Sequence, residues 1–281
     1  MNTKHRSNQN LNTSIAAILG IAVSCSNLLG ADGSAGNSTP FGEGKLSVDA
    51  RIRYEYIDGK NGASDVNALG ERTRVGYTIA NEDGISAMVE VEDVHFIDSD
   101  DRPALDVPTT ELNQAWVQTQ GIKLGRQIYT LDDHRFIGHV GWRQNIQTFD
   151  ALTSSFELDS QSKLNLGYLH SVRRINDTSQ DLSGIIVNGN RKISDVLNLT
   201  AFAYLLDFDQ PALTSSDTFG LRATGLFASD VETYTYSFSY AKQNDNSGSA
   251  SDFDLDYIAC ELNATTDGIT FGLGFEILEG D

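Results

Sequence analysis

Residues 45–57 read KLSVDARIRYEYI, and apolar and polar side chains alternate through the whole stretch. A period of two is the signature of a β-strand, because successive side chains point to opposite sides of the backbone. The charged residues therefore share one face and the apolar and aromatic residues share the other. The apolar face holds Leu46, Val48, Ala50, Ile52, Tyr54 and Tyr56.

The same alternation recurs along most of the chain. Segments of roughly 9–13 residues suit tilted membrane-spanning strands, whereas strands of globular sheets have a mode of about 5–6 residues. No segment shows a convincing 3.6-residue apolar period, so an all-β fold with about twelve strands is expected. The predicted strands are residues 45–57, 70–80, 84–96, 111–120, 121–129, 145–157, 162–171, 193–205, 217–228, 231–242, 252–264 and 268–278.

Short and long connections largely alternate between these segments. Gln120-Gly121 is a short turn, whereas Thr130–Gln144 and Val172–Arg191 are expected to be long loops. Membrane barrels have tight turns at one end and longer loops at the other, so the predicted fold is an antiparallel transmembrane β-barrel. A soluble β-sandwich is the alternative, with the apolar faces pointing into a core instead of lipid.

Residues 1–31 are predicted to be a signal peptide. A basic start is followed by an uncharged, mostly apolar run over Ser14–Leu29 and by small residues. A membrane-spanning helix is disfavoured because the run falls short of the ~20 residues that cross a bilayer. A lipoprotein signal ending before Cys25 ranks second. The expected division is a signal peptide at 1–31, a flexible segment at 32–44 and a barrel domain at 45–281.

The formal net charge of −19 argues against a nucleic-acid partner. The charge balance is −6 over residues 1–143 and −13 over residues 144–281. Once the leader is removed, Cys260 is the only cysteine, which excludes an intramolecular disulfide. The spacing of His134 and His139 supports neither a metal site nor a hydrolytic site, so no metal and no cofactor are expected.

A dense motif lies between the fifth and sixth predicted strands. Residues 125–138 read GRQIYTLDDHRFIG, residues 141–144 read GWRQ and residues 147–150 read QTFD. The pattern resembles the alginate-export family of outer-membrane barrels. In that family a strand ending in Gly-Arg-Gln enters a loop with an Asp-x-Arg element and a Trp, and a Ser/Thr-Phe-Asp step follows. The matching positions are Gly125, Arg126, Gln127, Asp133, Arg135, Trp142, Thr148, Phe149 and Asp150.

The resemblance implies an 18-strand barrel in the bacterial outer membrane, surrounded by lipid, with a positively lined pore for anionic polysaccharide or small solutes. The present chain offers about twelve strands and ends at Glu279-Gly280-Asp281 without a terminal aromatic residue, so the barrel is expected to be incomplete. The acidic second half argues against an alginate-type polyanion. The expected function is a porin-like channel for small or anionic hydrophilic solutes, oligosaccharides among the candidates, and not an enzyme.

Arginines are concentrated on the polar faces of the first two predicted strands. An arginine that faced lipid would cost ~2–4 kcal/mol near the midplane, so these side chains are expected to point inward. Left unpaired, they would form a basic ladder that favours anions. Asp49, Glu55 and Glu71 are expected on the same face, so a wall of mutually paired charges is an equally open alternative. The expected pore-lining residues are Arg51, Arg53, Arg72, Arg74, Arg126, Arg135 and Arg143.

The loop Thr130–Gln144 is expected to fold into the lumen as a constriction, carrying Asp132, Asp133 and Trp142. Long loops without secondary structure are usually functional or disordered. Two rival functions are an outer-membrane barrel hydrolase, which would need a placed serine and histidine, and a secreted carbohydrate-binding β-sandwich. The solute, the direction of transport and the oligomeric state are left open by the sequence.

Overall fold

The computed structural model describes residues 16–26, 44–57, 66–98, 106–210, 215–229, 232–246 and 249–280. These residues form one antiparallel sheet of fourteen strands, in which each strand is hydrogen-bonded to its neighbours in sequence. Within these ranges, no helix is long and apolar enough to cross a membrane. The strands are β1 (Ala16–Ser26), β2 (Gly44–Ile57), β3 (Val66–Ala80), β4 (Ile85–Asp98), β5 (Thr109–Thr119), β6 (Ile122–Gln127), β7 (Thr148–Asp159), β8 (Ser162–Arg173), β9 (Ser179–Ser194), β10 (Leu197–Phe208), β11 (Ser216–Ala228), β12 (Glu232–Asp245), β13 (Asp254–Thr266) and β14 (Ile269–Leu278).

The all-β antiparallel fold class is confirmed, but the sheet has two strands more than the sequence predicts. The expected loop Val172–Arg191 is wrong, because β9 occupies most of it and the connection from β8 is only residues 174–178. The triplet Ile185-Ile186-Val187 places three apolar side chains in succession, which hides the alternation.

The other additional strand, β1, lies inside the predicted signal peptide. Its backbone pairs antiparallel with β2 in an unbroken register from Ala16 opposite Ile57 to Ser26 opposite Ser47. An apolar run can add to a free sheet edge because that edge presents unpaired N–H and C=O groups. Removal of residues 1–31 stays a prediction.

The alternation of connection lengths is confirmed, and all the short turns lie at one end of the sheet. The tightest are two-residue turns such as Gln120-Gly121 and Asp267-Gly268, in which every residue has a positive φ. Both central residues of a type I′ turn adopt this conformation, and its twist matches that of the flanking strands. The loops at the opposite end include residues 128–147 between β6 and β7.

Apolar side chains cover the outer face of the sheet. Val75 pairs with Val91 across β3 and β4, and Leu221 pairs with Tyr240 across β11 and β12. All four are exposed, Leu221 to 62%. A sheet face covered by exposed apolar side chains is unfavourable in water and matches the lipid-facing band of a membrane barrel.

The inner face carries charged and polar residues and also a hydrophobic cluster that packs under the loop between β6 and β7. This loop contacts β2 through Arg51 and β14 through Glu276. In a flat sheet these two strands would lie about 58 Å apart, at ~4.8 Å per strand. The sheet therefore curves round the loop and forms part of the wall of a lumen, and β1 and β14 are not paired with each other among the described strands.

We predict that Val91→Arg, near the middle of β4 on the outer face, lowers the free energy of unfolding in phospholipid vesicles by ~2–4 kcal/mol. The reason is the transfer of a guanidinium group into hydrocarbon. Guanidinium titration followed by tryptophan fluorescence measures the change, and Val91→Leu serves as the matched control. Equal stabilities of the two variants would place this face outside the hydrocarbon.

Candidate functional site

The end of β6 is fixed by a glycine and a buried glutamine of the sequence motif. Gly125 has a φ of +122°, and an added Cβ would lie 2.3 Å from the carbonyl oxygen of Ala115, so only glycine fits. Gln127 donates to the carbonyl of Ala151 at 3.1 Å and accepts a hydrogen bond from the Thr153 hydroxyl at 2.8 Å. The motif therefore sets where β6 stops and the following loop starts.

Arg126 makes a bidentate ion pair with Asp150 on the neighbouring strand. Both N···O distances are 2.9 Å, and the Ser171 hydroxyl donates to the same carboxylate at 2.9 Å. The register places Arg126 on the face that carries the exposed Leu124 and Leu152. The expectation that Arg126 lines the pore is therefore wrong, because it lies on the outer face and ties β6 to β7.

Residues 128–147, which we call the lumenal loop, fold back over the inner face. Leu131 and Ile137 are buried against it. Phe136 packs on Phe202 and Tyr257, with both ring centroids at 5.4 Å. The loop is longer than the expected Thr130–Gln144, but it is ordered and inside the curve of the sheet, as the sequence predicts.

The wall beneath the lumenal loop is largely apolar. A polar lumen is the expectation for a porin, yet a loop that packs on the wall excludes water there and needs apolar partners. Two motif residues, Thr148 and Phe149, are buried in this region. The wall residues in contact with the loop cluster include Phe149, Ala151, Leu169, Val172, Leu182, Ile186, Phe202, Tyr204, Ala241 and Tyr257.

Two arginines of β2 hold the backbone of the lumenal loop. Arg51 donates to Gln144 Oε1 at 2.7 Å, to the Gly141 carbonyl at 3.1 Å and to the Arg143 carbonyl. Arg53 donates to the Trp142 carbonyl and pairs with Asp106 and, at 2.5 Å, with Glu55. Three successive carbonyls of the lumenal loop therefore accept hydrogen bonds from these two side chains.

The arginines of β3 are ion-paired within the wall. Arg72 pairs with Asp49 and Arg74 pairs with Glu92, and the side chains of Arg72, Arg74 and Glu92 are all largely buried. Arg72 and Arg74 are therefore part of a wall of mutually paired charges and do not form an unpaired basic row that would favour anions. The placement of Glu71 on the same face is wrong, because it lies on the outer face beside His95, 3.4 Å from its Nε2.

The opposite side of the lumenal loop is tied to β9, β10 and β11. Asp132 accepts hydrogen bonds from Asn188 at 2.7 Å and from the Tyr204 hydroxyl at 3.4 Å. Asp133 pairs with Arg222. Loss of solvent around the carboxyl group raises the pKa of Asp132, although the hydrogen bond from Asn188 opposes this.

Arg135 extends the contacts of the loop to β13 and β14. It pairs with Glu276 at 3.2 Å, and its guanidinium lies 5.2 Å from the ring centroid of Tyr257. His134 and His139 form an edge-on ring pair at 5.2 Å. Burial lowers the pKa of His139, and the charges of His134 and Arg74 act in the same direction, so its imidazole is mainly neutral at pH 7.

Trp142 is 58% exposed on the free surface of the loop. The guanidinium of Arg143 lies 4.0 Å from its ring centroid and 3.7 Å from Asp106. Arg143 is therefore mostly buried and paired, and among the expected pore-lining arginines Arg135 keeps the larger exposure, about a third of its side chain. No cluster of His, Cys, Asp or Glu that could hold a metal occurs in the described ranges.

A gap of about 380 Å³ separates the lumenal loop from the inner face of β11–β14. Glu261 and Glu276 line it together with Asp133 and Arg222, and Gly272 and Gly274 contribute only backbone on the β14 side. The loop partners Asn188, Arg222 and Glu276 and the gap-lining residue Glu261 were missed by sequence reasoning. They carry no local motif, and only the curvature of the sheet brings them to the loop.

Comparisons with known proteins agree with this architecture. The sequence matches the family described as alginate export over residues 44–271. No curated protein matches the chain. Among solved structures, OccAB4 of Acinetobacter baumannii is similar with 13% identity and a TM-score of 0.70, covering 85% of this chain and 68% of that one.

Two proteins of Pseudomonas aeruginosa are also similar. OccK8 (OprE) has 15% identity and a TM-score of 0.67, covering 85% of this chain and 69% of that one. The outer membrane protein opdK has 15% identity and a TM-score of 0.68, covering 85% and 67%. The chain thus spans about two thirds of the length of these proteins, and at such low identity the likeness shows the fold.

We predict that Arg51→Ala combined with Arg53→Ala releases the C-terminal half of the lumenal loop, because the carbonyls of residues 141–143 lose their side-chain donors. The readout is maleimide labelling of Ile146→Cys, a site 1% exposed in the structure, in a Cys25→Ser/Cys260→Ser background. Labelling should become at least about tenfold faster.

Lys192→Ala, which removes a cation near a short turn at the opposite end of the wall, is the control and should leave labelling slow. Slow labelling in the double arginine variant would show that the remaining contacts of the loop hold it in place without these two arginines.

Proposed function

The chain belongs to the alginate-export family of outer-membrane β-barrels, and on that premise we propose that it forms a porin-like channel for small hydrophilic solutes. The apolar outer face and the short turns at one end support a wall that spans the outer membrane. The sequence similarity to a transport family supports passage of solutes rather than hydrolysis.

The path of the lumenal loop across the interior is the main support for a channel with a fixed narrow level. It is attached to β2 by Arg51 and Arg53, and to β11 and β14 by Asp133 and Arg135. A loop attached on both sides of a lumen narrows it at a fixed level. The gap beside β11–β14 would then be part of the solute pathway at its narrow level.

The charges of this gap favour a weak cation preference over the anion preference that unpaired arginines would give. Asp133 and Glu276 are paired with Arg222 and Arg135. Glu261 is exposed, receives a hydrogen bond from Asn263 at 2.8 Å and has no cationic partner among the described residues. One unbalanced carboxylate at the narrow level lowers the barrier for a cation and raises it for an anion.

We predict that deletion of Phe136–Gly141 raises the single-channel conductance in planar bilayers, because it removes the part of the loop that packs on the far wall. Deletion of Ser249–Ser251, in the connection between β12 and β13, is the control and should leave the conductance near that of the parent. An unchanged conductance in the first variant would place the lumenal loop outside the conducting path.

We predict that the reversal potential under a KCl gradient shows a weak cation preference, and that Glu261→Gln reduces it, since the substitution removes the unbalanced charge and keeps the shape. Glu82→Gln, in the short turn between β3 and β4, is the matched control. Anion preference in the parent would contradict the charge assignment while leaving the channel function intact, whereas absence of any conductance would contradict the channel.

A further inference from the structure

The outer face of β9–β12 contains a groove of about 470 Å³. Two rows of residues cross these strands in register. The first row runs from Arg191 through Leu199 and Ala223 to Phe238, and the second from Gly189 through Ala201 to Leu221. The small residues Gly189, Ala201 and Ala223 form the floor, and Leu199, Leu221 and Phe238 rise beside it.

The glycine in the floor is not required by packing within the protein. A Cβ added to Gly189 would meet no atom closer than 3.9 Å, and this residue lacks the positive φ that favours glycine. Gly220, on the inner face of β11, is different, because a Cβ there would lie 2.2 Å from the ring of Phe202. The space above Gly189 is therefore open to a molecule from outside the chain.

Arg191 borders the groove at its end near the short turns. Its guanidinium donates to the Ser162 hydroxyl at 2.6 Å and lies 3.4 Å from Asp159, which places it level with the turn between β7 and β8. Only one of its terminal nitrogens has a protein partner among the described residues. Tyr236 lies near the same end and donates to the Val196 carbonyl at 2.7 Å, as expected of an interfacial aromatic residue.

We propose that this groove binds one glycerophospholipid of the inner leaflet, with its phosphate on Arg191 and one acyl chain over Gly189, Ala201 and Ala223. Short turns of outer-membrane barrels face the periplasm, so Arg191 lies at the level of the inner-leaflet headgroups. Guanidinium groups bind phosphate through paired, charge-assisted hydrogen bonds. The adjoining groove is apolar and extends from that level into the hydrocarbon, which fits the two parts of a phospholipid.

The test is native mass spectrometry of the full chain, delipidated in detergent and titrated with phosphatidylglycerol. The parent should retain one lipid more tightly than the rest. Ala201→Leu combined with Ala223→Leu fills the floor and should abolish that binding. Arg191→Gln should weaken it about tenfold, because it removes a charge-assisted contact.

Two matched controls should keep the binding of the parent. Ala203→Leu adds the same bulk on the outer face of β10 outside the groove, and Lys242→Gln removes an outward cation at the loop end of β12. Heat-modifiable gel mobility verifies that each variant is folded. Equal lipid retention by the filled variant and the parent would overturn the proposal. An oligomer that dissociates when the groove is filled, with no tightly held lipid in the parent, would also overturn it and assign the groove to a second copy of the chain.

Discussion

Every backbone N–H and C=O group inside a bilayer must find its hydrogen-bond partner within the protein. The sheet meets this requirement in the simplest order, because each strand pairs with the strand before it and the strand after it. Once the backbone is paired in this way, the side chains alternate between lipid and lumen without further choice. The apolar face of residues 45–57 is therefore directed outward, and the arginines of the same stretch are directed inward.

Inside the lumen, the loop between β6 and β7 has no strand to pair with, so its backbone groups need other hydrogen-bond partners. Arg51 and Arg53 supply N–H donors to the carbonyls of residues 141–143. A guanidinium group suits this role because it presents five donors in a rigid fork and stays charged. The orientation of these arginines and the position of the loop therefore depend on each other. Because both guanidinium groups are engaged by the loop, neither is free to attract a solute.

The fold class, the inward direction of the β2 arginines and the inward fold of the loop could be predicted from the sequence, because alternation and loop length are local signals. The roles of individual charges could not be predicted in the same way. Arg126 shares the motif with Gln127, yet the two adjacent side chains point to opposite faces, and the register with burial shows that Gln127 is the inward one. The partners Asn188 and Arg222 are distant in sequence from the loop that they hold. β9 was missed because its lumen-facing residues include Leu182 and Ile186, which pack under the loop instead of facing water.

The double attachment of the lumenal loop has a consequence for the order of folding. Neighbouring strands of the sheet are connected by short segments and can pair early, because closing a short loop costs little entropy. The contact between Arg51 and Gln144 spans 93 residues, and that between Asp133 and Arg222 spans 89. Contacts of such sequence separation form late and slowly. The loop can therefore reach its final position only after the strands on both of its sides have assembled. The wall forms first round an open interior, and the loop narrows that interior last.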